Sequence, residues 1–444
     1  MFKRILIANR GEIALRVIRA CKEMGIATVA VYSDADKDSL PVRYADEAVH
    51  IGPALSHKSY LNLDRVMDAV RQTKADAVHP GYGFLSENAA FAKACEDACI
   101  AFIGPSSQCI AKAGNKSSAR QTLMELGIPV IPGGDDILAS SDMASDLAET
   151  IGFPVILKAS GGGGGRGMRI AHNRKELLDA FSMASGEAKA AFGNPDIYLE
   201  KYIENPRHIE IQILGDMFGN YVHLAERECS IQKRYQKLIE EAPSSFVDDA
   251  LRADLGKTAV TIARALGYHN AGTIEFLVDK NKKFYFMEVN ARVQVEHPVT
   301  EMITGIDIVR QQIIIASGQK LSLRQEDMVP RGWAMECRIN ASDPDDNFMP
   351  SPGKIESIIF PGGPGVRIDT HIHDGYMVGP FYDSLIGKLI VWGQDRPSAI
   401  RRMQRALDEF EIKGIETTIP FFKKVFQNKN FQNGDIDTHF LENM

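Results

Sequence analysis

Apolar and polar positions run through the first hundred residues in two rhythms. Short apolar runs, RILIA at 4–8, ATVAVY at 27–32, DAVHP at 76–80 and IAFIG at 100–104, have strand character. Between them IALRVIRACKEM at 13–24, LDRVMDAV at 63–70 and FAKACEDA at 91–98 place apolar residues at helical spacing. Strands alternating with helices predict a parallel α/β sheet, because parallel neighbours need a crossover. Between 105 and 155 the chain leaves this unit through a helix carrying Lys116 and Met124, a turn at Ile131-Pro132-Gly133-Gly134 and another helix. Strand character then dominates: FPVILKA, a glycine loop, MRIA, a helix over 174–192, DIYLEKYI, HIEIQIL and NYVHLAE read as an α+β layer. After 331, AMECRINA, GKIESIIF, GVRIDT and GKLIVW add strands, and PSAIRRMQRALDEF a helix opened by Pro397.

At 444 residues the chain is too long for one core and implies several packed units. A net charge of −7, from 51 basic and 58 acidic residues, gives no general attraction to nucleic acid, so anionic ligands need local groups. No apolar stretch is long enough to span a bilayer. The six cysteines contain no C-x-x-C pair, which argues against a disulfide framework or structural zinc. Met1-Phe2-Lys3-Arg4 runs directly into an apolar strand, so no leader peptide is expected and the location read is cytoplasmic.

The first chemical signal is Lys158-Ala159-Ser160 followed by five glycines, Gly161 to Gly165, then Arg166-Gly167-Met168. A dinucleotide fingerprint needs a helix next, whereas MRIA reads as a strand; the Walker A pattern lacks Lys-Ser/Thr after its last glycine. What fits is a strand–loop–strand flap whose backbone N–H groups close over phosphates, with Lys158 at its base. A plain linker is the alternative, disfavoured by the apolar strands on both sides.

The second signal is the hairpin TIEFLVD-KNKK-FYFMEVN. A four-residue loop at 280–283 pairs Asp279 with Phe284 and, counted outward, brings Glu275 opposite Glu288. Two carboxylates about 5 Å apart repel by about 3 kcal/mol at an effective dielectric near 20, which a magnesium ion would offset. A slip of one residue would instead part them to opposite faces. If the strand continues, Glu288, Asn290, Arg292, Gln294 and Glu296 share one polar face, combining metal-type oxygens, a guanidinium and a carboxylate that could act as base; an edge strand facing water is the alternative. Arg338 alternates with apolar neighbours in Glu336-Cys337-Arg338-Ile339-Asn340. His208, Glu210, Gln212, Gln232, Arg234 and Lys237 form a scattered polar set that reads largely as surface, and Cys229, with no general base identifiable near it, reads as a buried or an incidental thiol.

In order, IANRGEIALRV at 7–17, HPGYGFLSEN at 79–88, KASGGGGGRGM at 158–168, EKYIENPRHIEIQ at 200–212, EFLV at 275–278, VQVEHPVTEMITG at 293–305, ECRINA at 336–341, PSPGKI at 350–355 and YDSLIGKL at 382–389 resemble the ATP-grasp enzymes, and within them biotin carboxylase, end to end. The resemblance implies a Rossmann-like α/β domain without the dinucleotide fingerprint over 1–114, an α+β ATP-grasp domain over 115–330 with a mobile lid at about 131–203, and a mixed β/α domain over 331–444. It implies ATP-dependent carboxylation of biotin by bicarbonate, with magnesium or manganese. Lys116, Lys158, Gly163, Gly164, Gly165, Arg166, Gly167 and Met168 resemble phosphate binders. Glu200, Lys201, Ile203, Gln232 and Leu277 resemble the rest of the nucleotide site, and His208 its ribose side. Glu275, Glu288 and Asn290 resemble the metal ligands. Arg292, Gln294 and Val295 resemble the bicarbonate site, Glu296 the base, and Lys237 a carboxyphosphate contact. Arg338 resembles the group stabilising the biotin enolate, beside Tyr82 and Gly83. Tyr235 departs from the pattern, which more often has histidine there. With no Met-Lys-Met acceptor before Met444, a separate biotin carboxyl carrier protein and carboxyltransferase are expected, and the resemblance adds a homodimer with Arg19, Glu23 and Arg367 at its interface. Another ATP-grasp ligase acting on a different carboxylic acid, and a catalytically silent ATP-binding scaffold, are the competing readings.

Overall fold

A computed structural model describes residues 1–114, 116–134, 137–159, 168–192 and 196–444, with side chains throughout except at 116–119, 159 and 188–192. Strands Arg4–Ile7, Ala27–Ser33, Glu47–Gly52, Ala77–His79 and Ala101–Phe102 form the expected parallel sheet. Helices Gly11–Glu23, Leu63–Thr73 and Ala89–Asp97 pack their apolar stripes on it, the last two capped by Asn62 and Asn88. Edge strand Glu47–Gly52 is missing from the sequence reading, because EAVHIG mixes charge into a short run.

Arg169–Ala171 is a strand antiparallel to Val155–Ala159, which removes the dinucleotide fingerprint on structural grounds. These two join Gly133–Gly134 and Ile197–Lys201 in a four-stranded sheet.

The main body is an eight-stranded antiparallel sheet in the order Phe284–Asn290, Asn270–Val278, Arg207–Gly215, Tyr221–Lys233, Gln236–Ala242, Trp333–Asn340, Leu385–Gly393, Val366–Thr370. Its ladder continues across residue 330: Glu240 pairs with Glu336, and Arg338 with Lys388. The last three strands therefore extend the middle sheet rather than starting a separate one. No helix among the described residues is long and apolar enough to cross a membrane. All six cysteines are free and five are buried.

The HPGYG turn shows how a buried histidine can serve a loop. His79 Nδ1 accepts the Gly81 N–H at 3.1 Å, while Asn9 Nδ2 donates to the Pro80 and Tyr82 carbonyls, both at 2.7 Å. Gly81 has φ +62°, and a Cβ there would meet Asn9 and Ile13 atoms at 3.0 Å, so the turn that aims Tyr82 requires glycine.

Burial pushes His79 down to about 3, with Gln312 opposing and Arg16 assisting, and pushes His371 down to about 3 with Arg10 assisting and Asp36 opposing. Their folded values lie below the ordinary 6.5, so the neutral rings favour the fold above that value. That stability is withdrawn as pH falls toward about 3, at about 1.4 kcal/mol per pH unit for each ring. Replacing His371 by Gln is expected to reduce the pH slope of urea-unfolding free energy by about one proton below pH ~6; an unchanged slope would remove His371 from this account.

Candidate active site

Strands Asn270–Val278 and Phe284–Asn290 set the first two carboxylates. Glu275 stands opposite Glu288, as the sequence count requires, but the count reached that pair by two compensating differences. The turn spans 279–283, since Val278 rather than Asp279 pairs with Phe284; the Asp279 carboxylate accepts the Asn281 and Lys283 N–H groups inside it. A bulge between Glu275 and Phe276 on the ladder then restores the register. Glu288, Asn290 and Glu87 help to line a cavity of about 210 Å³.

The expected polar row does not continue as a strand. Extended pairing stops at Asn290, where Glu87 of the N-terminal sheet unit accepts the Ala291 N–H and the Arg292 Nε–H, both at 2.9 Å. The chain then turns into helix His297–Thr304, with Glu296 at its N-cap and Pro298 in its first turn. Asn290, Gln294 and Glu296 nonetheless converge on Glu275 or on its partners.

Glu275 and Glu296 meet, together with Glu210, at the Lys237 ammonium. It donates to Glu210 Oε2 at 2.6 Å, Glu275 Oε1 at 2.9 Å and Glu296 Oε1 at 2.6 Å, using all three of its donors. Glu275 Oε1 also accepts from Asn290 Nδ2 at 2.9 Å and Gln294 Nε2 at 2.7 Å, and its Oε2 lies 2.9 Å from His208 Nε2. Arg338 bridges Glu240 Oε1 at 2.6 Å and Glu296 Oε2 at 3.0 Å. Arg292 donates to Asn290 Oδ1 at 3.0 Å.

Burial alone would raise these acids. Against it, Lys237 and then His208 hold Glu275 well below the ordinary carboxylate range, and Lys237, Arg338 and Arg227 hold Glu296 below it. Lys237 is held well above its ordinary value, burial being outweighed by Glu210, Glu275 and Glu296. Cys229 is buried and its thiol is pushed well up by burial and by Glu210, so it is no nucleophile.

Much of this support lies inside the sheet, where the sequence alone suggests surface. His208, Glu210 and Gln212 are buried, because Arg207–Gly215 is an interior strand of the sheet. Arg227, opposite Glu210 in register and fully buried, donates to Glu210, to Gln212 at 2.8 Å, Thr300 at 3.0 Å, Thr273 at 3.1 Å and Gln294 at 2.8 Å. Lys388, also fully buried, donates to the Val295 carbonyl at 2.9 Å and lies 3.0 Å from Glu12, which accepts from the Tyr82 hydroxyl. A lone lysine inside the apolar strand LIGKLIVWG was the available signal for that contact.

The nucleotide-side residues lie on both sheets. Ile203 and Leu277 join Ile131 and Tyr285 in one small apolar cluster. Lys158 Nζ donates to Glu200 at 2.5 Å, and Lys201 Nζ to the Gly152 and Phe153 carbonyls at 3.0 and 2.7 Å. Gln232 pairs with Lys237 across a hairpin whose tip residues, Arg234 and exposed Tyr235, both have positive φ. Met168 is partly buried just before Arg169–Ala171, and Gly83 is exposed beside Tyr82. Gly163, Gly164, Gly165, Arg166 and Gly167, and the side chain of Lys116, lie outside the described residues. Arg19 and Glu23 are exposed, whereas Arg367 pairs within the chain with Glu301 at 2.7 Å and Asp369 at 2.6 Å.

Comparison with known proteins adds to this geometry. Residues 1–110 match the family model for the biotin carboxylase N-terminal domain, 115–324 that for the carbamoyl-phosphate synthase L chain ATP binding domain, and 336–443 that for the biotin carboxylase C-terminal domain. The chain is 54% identical over 443 residues to biotin carboxylase 1 of Bacillus subtilis, covering 100% of this chain and 98% of that one. It is 52% identical over 444 residues to the biotin carboxylase of Haemophilus influenzae, covering 100% of this chain and 98% of that one. Among solved structures, the biotin carboxylase domain dimer of Hydrogenobacter thermophilus 2-oxoglutarate carboxylase, in complex with MgADP, ADP and bicarbonate, is 49% identical with a TM-score of 0.93, covering 100% of this chain and 98% of that one.

Proposed function

The chain belongs to the biotin carboxylase family, and from that premise we propose that it carboxylates carrier-bound biotin with bicarbonate and ATP, through carboxyphosphate, releasing ADP and phosphate. The observation that carries this reading is the convergence of Glu210, Glu275 and Glu296 on Lys237, with Glu296 also held by Arg338.

Facing Glu275 and Glu288, with the Asn290 amide beside them, make an all-oxygen donor set of the hard type magnesium prefers. These three would hold magnesium or manganese, which when bound neutralises charge on the nucleotide phosphates. Ile203 and Leu277, with Ile131 and Tyr285, offer an apolar slot for the adenine ring, with Glu200, Lys201, His208 and Gln232 around the nucleoside. Lys116, Lys158, Gly163, Gly164, Gly165, Arg166, Gly167 and Met168 take the phosphates.

Arg292 and Gln294 orient bicarbonate next to the Val295 backbone, and Glu296 removes its proton. The freed oxygen attacks the γ-phosphoryl group as the bond to ADP breaks. Lys237 accompanies the carboxyphosphate, whose breakdown to carbon dioxide leaves phosphate to accept the ureido proton. Arg338 then steadies the biotin enolate while it captures carbon dioxide, with Tyr82 and Gly83 alongside.

Release of ADP should need ATP, bicarbonate and biotin together for full rate, assayed by omitting each in turn. Equal release with another small carboxylate in place of bicarbonate would instead favour a different ATP-grasp ligase. Arg338→Ala is expected to lower biotin-dependent turnover by about 10²–10³-fold.

The same reading supplies a cytoplasmic location, a biotin carrier protein and a carboxyltransferase as partners, and a homodimer with Arg19, Glu23 and Arg367 at its interface. It divides the chain at 1–114, 115–330 and 331–444. Acetyl-CoA carboxylase, serving fatty acid biosynthesis, or a related carboxylase would use the product.

A further inference from the structure

Two glutamates beside Arg338 have no part in the steps above. Glu240 on strand Gln236–Ala242 stands directly opposite Glu336 on Trp333–Asn340, and both are fully buried. Glu336 precedes Arg338 by two residues, so the two side chains share a face of the sheet, and Lys388 stands opposite Arg338 on the next strand. Of the four carboxylate oxygens of the pair, only Glu240 Oε1 has a hydrogen-bond partner among the described residues, namely Arg338 Nε at 2.6 Å. Glu240 Oε2 and both Glu336 oxygens have none. Directly opposed residues on antiparallel strands carry Cβ atoms about 5 Å apart, close enough for the two carboxyl groups to meet. Buried polar atoms are rarely left unpaired, and two facing buried carboxylates do not both stay ionised.

We propose that Glu240 and Glu336 share one proton and that this buried acid pair positions Arg338 for the carboxylation of biotin. It rests on the reading of Arg338 given above. A Glu336 O–H donating to Glu240 Oε2 pairs two of the three unpaired oxygens and leaves the pair one negative charge, presented through Glu240 Oε1 to Arg338 Nε. The other edge of the guanidinium then reaches Glu296, at 3.0 Å, and the substrate. Loss of the shared proton would place a second negative charge beside the guanidinium and draw it back from that edge.

The groups facing the pair agree with this. Lys388 approaches from Leu385–Gly393, Lys237 from Gln236–Ala242, Arg338 from its own strand, Glu296 from the turn before helix His297–Thr304, and Tyr82 from the N-terminal loop. Burial pushes Glu240 up to about 7, with Arg338 opposing and Glu296 adding to the rise. Burial also holds Glu336 well above the ordinary range, with Lys388 opposing and Glu240 reinforcing.

Infrared spectroscopy of the full-length enzyme at neutral pH should show the carbonyl stretch of a protonated carboxylic acid that disappears in Glu336→Gln and shifts in Glu240→Gln. In biotin-dependent ADP release, Glu240→Gln should lower kcat about 10- to 100-fold with little change in KM for ATP. Glu336→Gln, which keeps a donor toward Glu240, should retain a kcat about tenfold above that of Glu336→Ala and lose the alkaline fall in rate caused by the second ionisation. Absence of a band assignable to Glu336, or an alkaline limb unchanged in Glu336→Gln, overturns the shared proton. Undiminished biotin-dependent turnover in Arg338→Ala would instead overturn the role given to Arg338, while leaving the band in place.

Discussion

Replacing Glu296 by Ala is expected to lower bicarbonate-dependent ADP release by about 10²–10⁴-fold, the range for loss of a positioned general base, while nucleotide affinity changes little. Glu296 sits at the start of a helix rather than on a strand, so its aim is set by Lys237 at 2.6 Å and Arg338 at 3.0 Å. Both cations keep it ionised, which makes it available to accept a proton but also weakens it as a base. In the proposed reaction, substrate oxygens that drew those cations toward themselves would restore its strength as a base. Glu296→Gln keeps the shape and loses the charge, so it should fail as badly as Ala, whereas Glu296→Asp should recover part of the rate. ADP-release assays beside equilibrium binding of a fluorescent nucleotide separate chemistry from affinity. Turnover of the Gln variant within a few-fold of the unaltered enzyme would exclude Glu296 as the base.

The largest stability effect is expected at Arg227. It makes five hydrogen bonds to Glu210, Gln212, Thr273, Gln294 and Thr300 from a fully buried position, and burial is outweighed by Glu210 in keeping it charged. Arg227→Met removes every donor and leaves Glu210 facing Lys237 alone in the sheet interior. Breaking a buried pair in this way costs about 3–5 kcal/mol. Arg227→Lys restores the charge but offers three donors in place of five and lacks the planar fork, so it should recover only part of the loss. Urea unfolding followed by circular dichroism measures the difference as a shift in midpoint at constant m-value. A loss under about 1 kcal/mol for Arg227→Met would show that the residue does not anchor this interior.

Local pattern carried a good deal of this architecture. Helix 174–192 and the helix opened by Pro397 stand where periodicity placed them, at Arg174–Phe192 and Arg396–Glu409. Glu275 and Glu288 face each other as counted, although a longer turn and a bulge had to cancel. The course of the chain beyond Asn290 was not legible, because the group that captures it is Glu87, some two hundred residues earlier. Burial of His208, Glu210 and Gln212 was hidden for a related reason. A strand that alternates polar and apolar residues reads as half exposed until its neighbours are known, and Arg227 lies on the adjacent strand. Glu12, Glu240 and Glu336 gave no sign alone, since each gains meaning only from a partner on another strand or in another sheet.

The ladder that passes from Gln236–Ala242 to Trp333–Asn340 has a practical consequence for dividing the molecule. A cut near residue 330 would leave each fragment with a raw strand edge, a template for mispairing and aggregation, and would detach Arg338 from Glu240 and Glu296. Split or truncated forms should therefore respect the sheet rather than the segment boundary, keeping the strands of 207–242 and 333–393 on one polypeptide.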